Sequence, residues 1–195
     1  MKDNERRRKF FKLTLATGCL AAFGKSALAN NSAEPDCNEK INRKADEVWL
    51  QELHGKIRLL KKLKEKLGDE VTQIAMRHTV SNVEKQYSEM DIQKRDLDAI
   101  KSLLWDTMPK EKFEYRKIKD TGAHLEFRVS RCRIAEAVRD LNEPELAYAL
   151  VCAWDEGFCR GLNPNIKFTR TKTLIRGNEY CNHTYELEKT DAMLF

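Results

Sequence analysis

Several things are missing from this 195-residue chain, and each absence removes a class of protein. The longest apolar run, from Leu13 to Phe23, falls well short of the roughly 20 residues that a bilayer core requires, which excludes a stable membrane span. No CxxC or HxxxH spacing occurs, so spacing gives no argument for a zinc site. An excess of positive charge is absent once the first 29 residues are set aside. They hold seven of the 36 Lys and Arg and two of the 31 Asp and Glu, leaving 29 of each. The basic balance therefore belongs to the leader, and no nucleic-acid partner is expected. An even cysteine count is missing too: after Cys19 there remain Cys37, Cys132, Cys152, Cys159 and Cys181. Five thiols cannot close a complete disulfide framework within one chain, although one or two bridges stay open.

What is present begins with a leader. Arg7, Arg8, Lys9 and Phe10 precede the apolar run, and Ala27, Leu28 and Ala29 form a small-residue cleavage site. Residues 1–29 read as a twin-arginine export signal, which implies the twin-arginine export machinery as a partner and a periplasmic or secreted product. Ala16, Thr17, Gly18 and Cys19 offer a minor alternative, a lipid anchor on Cys19. That route carries folded proteins, so free thiols acquired before export are compatible with it.

Residues 30–195 are expected to form a single α+β domain: N-terminal helices, then an antiparallel sheet built from two hairpins with an intervening helical segment. Ile41, Ala45, Val48, Trp49, Leu53, Ile57, Leu60, Leu63 and Leu67 recur at three and four, marking one long amphipathic helix that stops at Gly68. Asp69 is the expected cap of a second helix running to about Met90, and Asp91 the cap of a third that ends before Pro109. The first hairpin pairs residues 113–119 with 124–130, with Leu125, Phe127 and Val129 pointing inward. A helix starts near Cys132, where the local dipole favours a thiolate, although a small buried thiol is the commoner fate of a single cysteine. Asn142 and Pro144 open another, which carries Tyr148, Cys152, Asp155 and Cys159 as one stripe. Gly157 and Gly161 are expected to loosen its end.

The final segment, Leu162 to Leu187, reads as two strands joined by a tight turn at Arg176 to Glu179, where Gly177 and Asn178 supply positive φ. That register pairs Leu174 with Cys181, Lys172 with His183, Arg170 with Tyr185 and Phe168 with Leu187, all on one face. Two cations on an otherwise apolar face need a partner. Either a pocket receives an anion there, or internal carboxylates and snorkelling satisfy them. If the preceding helix packs on this face, Cys132, Cys152, Cys181, His183 and Asp155 meet in one place. Such a set allows thiol catalysis with His183 moving protons, a metal site using Cys132, Cys152, Cys181 and His183, or structural packing alone. No cofactor is expected, and zinc remains a candidate only through those soft ligands.

The segments CRIAEAVRDL (Cys132–Leu141), GFCRGLNPNIKFTRTKTLIRG (Gly157–Gly177) and CNHTY (Cys181–Tyr185) resemble the L-2-amino-thiazoline-4-carboxylic acid hydrolase family. The resemblance implies hydrolytic opening of a small sulfur-containing ring that bears a carboxylate. Under it, Arg170 and Lys172 anchor the carboxylate beside Tyr185, Cys132 or Cys181 is the nucleophile, His183 shuttles protons, and Asp155 orients His183 or activates water. An exported small-anion or metal-binding protein without turnover would use the same ingredients.

Overall fold

The computed structural model describes residues 35–188, with side chains from residue 44 onward. The leader, Cys19 and the side chain of Cys37 lie outside the described residues. Two compact units divide the chain, Met1–Leu53 and His54–Phe195, with the boundary inside the first helix. All expected site residues belong to the second unit.

The first helix, α1, spans Pro35–Leu67 and stops at Gly68, whose φ of 80° no β-carbon-bearing residue adopts cheaply. Its apolar stripe is buried only at Leu53 and Ile57, while Val48, Leu63 and Leu67 stay exposed. Helix α2, Glu70–Glu89, buries Val71, Ala75, Val80, Val83 and Tyr87. Asp91 does not start the third helix. Asp96 does, its Oδ1 accepting the Ala99 N–H at 3.0 Å, and α3 (Leu97–Ile100) runs on into a π-helical turn over Lys101–Trp105. The cause of the delay is Arg95, whose Nη1 donates to the carbonyls of Tyr87, Gly161 and Leu162 at 2.8–3.1 Å. One guanidinium thus satisfies the orphan carbonyls at the ends of two helices, which holds residues 91–95 in a connecting segment.

Four antiparallel strands follow the order β1-β2-β4-β3: β1 Phe113–Thr121, β2 His124–Cys132, β3 Ile166–Thr169 and β4 Cys181–Leu187. Leu125, Phe127 and Val129 of β2 point inward as expected, and they stand opposite Tyr185, His183 and Cys181 of β4. This places three chemically capable side chains on the buried face of a central strand. Between β2 and β3 lie α4 (Arg133–Val138), α5 (Pro144–Ala147) and α6 (Trp154–Leu162). A π-helical turn, Tyr148–Cys152, joins α5 to α6, its Ala153 N–H reaching back to Tyr148 O at 2.9 Å. Gly157 and Gly161 do not loosen α6; they let it touch α2. A β-carbon at Gly157 would stand 2.5 Å from the Val80 carbonyl, and one at Gly161 would overlap that of Glu84.

The second hairpin differs from its expectation. Phe168 pairs with Tyr185, a register two residues away from the expected one, and because the shift is even the side chains within the ladder keep their faces, whereas Lys172, beyond its end, does not. No tight turn forms at 176–179. The ladder of β3 ends at Thr169, and residues 170–180 make a loop containing a 3-10 turn, Leu174–Arg176, closed by Gly177 at φ 84°. Among the described residues the only non-glycine with positive φ is Asn142, so Asn178 does not share the left-handed conformation of Gly177. Polar side chains compete with the ladder here and win. Asn182 Oδ1 accepts the Thr171 and Lys172 N–H groups at 3.1 and 2.7 Å, Asn178 Oδ1 accepts that of Thr173 at 2.9 Å, and Cys181 Sγ that of Leu174 at 3.1 Å.

Candidate active site

Strand alternation buries Cys181, His183 and Tyr185 together, and the loop after β3 turns Arg170 back over them. The Arg170 side chain is 3% exposed. Its Nη1 donates to Asp155 Oδ2 from the first turn of α6 and, at 3.1 Å, to His183 Nε2; its Nη2 donates to the Cys152 carbonyl at 2.6 Å. Of the two ways to satisfy a buried cation, the fold therefore supplies the internal carboxylate.

Each group's ionisation follows from this contact. Burial opposes the charged form of Asp155, but the Arg170 charge and the adjacent His183 outweigh it and hold the carboxyl below its ordinary range. Burial likewise disfavours the Arg170 cation, and Asp155 more than restores it. His183 Nε2 lies 3.7 Å from Asp155 Oδ2, yet burial dominates and its pKa is lowered. An arginine N–H can only donate, so His183 Nε2 is the acceptor and the ring proton sits on Nδ1. That Nδ1 has no hydrogen-bond partner among the described residues, and neither do Arg170 Nε, Trp105 Nε1 and the Tyr185 hydroxyl. The Trp105 and His183 rings meet edge to face at 5.2 Å, and Phe168 packs on Tyr185 at 5.2 Å. The Trp105 N–H faces the Tyr185 hydroxyl, which leaves Arg170 Nε and His183 Nδ1 as the unpartnered donors of the network.

Cys132, Cys152, Cys159 and Cys181 are all free. Of the two readings of Cys132, the buried thiol fits and the thiolate does not: burial outweighs the local N–H groups of α4, a helix of only six residues, and pushes the thiol up to about 11. Cys152 and Cys159 are also raised by burial. Burial raises Cys181 as well, against the opposing pull of the Leu174 N–H and the Arg170 charge. Among the described residues no three His, Cys, Asp or Glu converge as metal ligands. Lys172 is not on the buried face. It is exposed, its Nζ 4.7 Å from the centre of the Tyr180 ring, because the Asn182 side chain takes its N–H at 2.7 Å and so breaks the alternation that a ladder would impose.

A cavity of about 430 Å³ reaches Arg170 from the side of α6. Tyr148 and Phe168 line it, their ring centres 5.2 and 5.3 Å from the Arg170 guanidinium, and so does Cys159, while Cys132, Cys181 and His183 do not. Of the sequence stripe Tyr148, Cys152, Asp155 and Cys159, Tyr148 and Cys159 line this wall, whereas Cys152 and Asp155 do not. No signal marked Phe168 as a ligand-facing ring, since a strand phenylalanine reads as core.

Fold and site define an α+β protein organised around a buried carboxylate–guanidinium–imidazole network on an antiparallel sheet. The sequence pattern of the L-2-amino-thiazoline-4-carboxylic acid hydrolase family matches residues 47–185, which include every member of that network, and the chain belongs to this family. No curated protein matches the chain. Among the described residues no helix is long and apolar enough to cross a membrane.

Proposed function

We propose that this chain is an exported hydrolase that opens a small, carboxylate-bearing sulfur heterocycle at its amidine-like carbon. The reading rests on family membership, and the observation that carries it is the buried Asp155–Arg170–His183 network, in which Arg170 Nε and His183 Nδ1 have no hydrogen-bond partner among the described residues. Buried polar groups are rarely left unpaired, and a substrate carboxylate and ring heteroatoms are the acceptors that such a locus suits. Arg170 keeps Nε–H for the carboxylate while its other nitrogens are held by the protein.

Cys181 is the better nucleophile of the two expected candidates. Backbone N–H groups and a nearby acid act on both thiols, but only Cys181 also feels the Arg170 charge, which favours its thiolate. In this mechanism Arg170 Nη1 leaves His183 Nε2 on substrate binding, and the Cys181 sulfur bonds to the ring carbon as the freed Nε2 takes the thiol proton. His183 returns that proton to the leaving ring atom as its bond to carbon breaks. Water then cleaves the carbon–sulfur bond to the enzyme and restores the thiol, so the net change is addition of one water. Asp155 keeps Arg170 and the imidazole in place.

The binding-protein alternative is favoured by two observations: burial keeps all four thiols protonated, and the cavity wall includes neither Cys132 nor Cys181. Incubating mature protein with the thiazoline carboxylate, followed by mass spectrometry, separates the two. Hydrolysis yields a product heavier by one water that Cys181→Ser abolishes and Cys132→Ser retains. Ligand-induced thermal protection without product would establish binding alone. Export is tested by Arg7→Lys with Arg8→Lys, which should leave precursor in the cytoplasm; unchanged export would contradict it, and an acylated Cys19 would identify a lipoprotein instead.

A further inference from the structure

Lys172, expected in the buried pocket, instead joins a group of cations on the outer face of the sheet. We propose that this face carries a binding site for a phosphate-type anion, built from Arg116, Arg128 and Lys172 around the ring of Tyr180. The Arg128 guanidinium lies 4.2 Å from the centre of that ring and the Lys172 ammonium 4.7 Å from it. Two cations that repel each other are therefore held within about 9 Å by one aromatic ring, the sum of those separations. Arg116 stands directly across from Arg128 on the neighbouring strand, and both point away from the core because Tyr115 and Phe127 point into it. Like charges directly opposite on a sheet are destabilising unless an anion lies between them.

None of the three cations has an ion pair among the described residues. Two acids on the same strand faces approach other residues: Glu114 lies 4.0 Å from Arg131, and Glu126 lies 3.9 Å from His124. Arg128 Nε is buried and has no hydrogen-bond partner. Asn182, the cross-strand neighbour of Arg128, fixes the Thr171 and Lys172 amides at 3.1 and 2.7 Å, so the lysine's backbone is pre-positioned beside the arginine. A guanidinium fork with a nearby ammonium suits a tetrahedral oxyanion, either free or as a phosphoester headgroup.

The test uses the full chain, titrated by calorimetry with inorganic phosphate and, separately, with phosphatidylglycerol vesicles. Saturable phosphate binding is expected, weakened about tenfold by Arg128→Gln or Lys172→Gln, roughly what loss of one charge-assisted contact does, and unchanged by Arg131→Gln. Vesicle binding that Arg128→Gln abolishes, without binding of free phosphate, would assign the same site to a headgroup. Arg116→Gln should weaken binding yet leave the melting temperature in phosphate-free buffer unchanged or about 1–3 °C higher, since it removes a like-charge pair. Absence of binding to both probes, or an equal loss in Arg131→Gln, would overturn the proposal.

Discussion

The two hairpins of the sheet are closed by different means. β1 and β2 turn through residues 122 and 123, with Thr121 Oγ1 accepting the His124 N–H at 3.0 Å beside a ladder that reaches the turn. β3 and β4 are joined by residues 170–180, whose amides are satisfied chiefly by the side chains of Asn178, Asn182, Thr173 and Cys181. The tight hairpin contributes Arg116 and Arg128 through a ladder that two register shifts interrupt. The open one sends Arg170 into the interior and Lys172 to the surface, and both candidate sites depend on it. A loop built on side-chain acceptors can place residues two apart on different sides, which strict alternation in a ladder cannot do.

The largest expected effect comes from the anchor of that loop. Asp155→Ala leaves the Arg170 charge buried without its carboxylate, and denaturant unfolding should show a loss of about 3–5 kcal/mol. Asn182→Ala removes the acceptor for two loop amides and should cost about 1–3 kcal/mol, with faster hydrogen exchange at Thr171 and Lys172. The corresponding change in the tight hairpin, Thr121→Ala, should cost no more than about 1 kcal/mol, because the ladder carries that turn. Equal costs for Asn182→Ala and Thr121→Ala would erase the distinction between the hairpins.

Acid should also act through the open hairpin. His183 has a lowered pKa, so the unfolded chain takes up a proton at a pH where the folded one does not. Its contribution is complete above the unfolded value of about 6.5 and is lost as pH falls from there through the folded pKa, at up to about 1.4 kcal/mol per pH unit. Asp155 adds a second loss, starting near pH 4 and continuing below as its depressed folded pKa is passed. His183→Gln should flatten the first slope in unfolding midpoints measured between pH 7 and 5, and leave the second.

Much of this fold was legible because hydrophobic period and turn residues agreed. The span of α1 and α2, the first hairpin, the helix start after Asn142 and the buried faces of β2 and β4 all follow from that agreement. The failures have one cause in common, which is a distant backbone group that no local pattern reveals. Arg95 ties together the ends of α2 and α6 and so delays α3. Gly157 and Gly161 read as helix weakeners until the carbonyls of Val80 and Glu84 stand against them. Gly177 and Asn178 signalled a tight turn, but Asn182 offered the preceding amides a competing acceptor. Arg170, Asp155 and His183 were legible as members of one site. That Arg170 is tied mainly to Asp155, with Lys172 outside, depended on the loop's path.

The central claim is that this loop delivers Arg170 to a working site and not merely to a buried ion pair. Its most direct measurement is kcat/KM for the thiazoline carboxylate with wild type and Arg170→Lys side by side, each checked for native circular dichroism. Lysine preserves the charge beside Asp155 but loses the guanidinium's directed donors. The account predicts turnover by the wild type and a loss of about 1–3 kcal/mol in transition-state binding, or roughly 5- to 150-fold in kcat/KM, in a folded Arg170→Lys protein. Equal kcat/KM in two folded proteins would contradict it and leave Arg170 as a structural partner of Asp155.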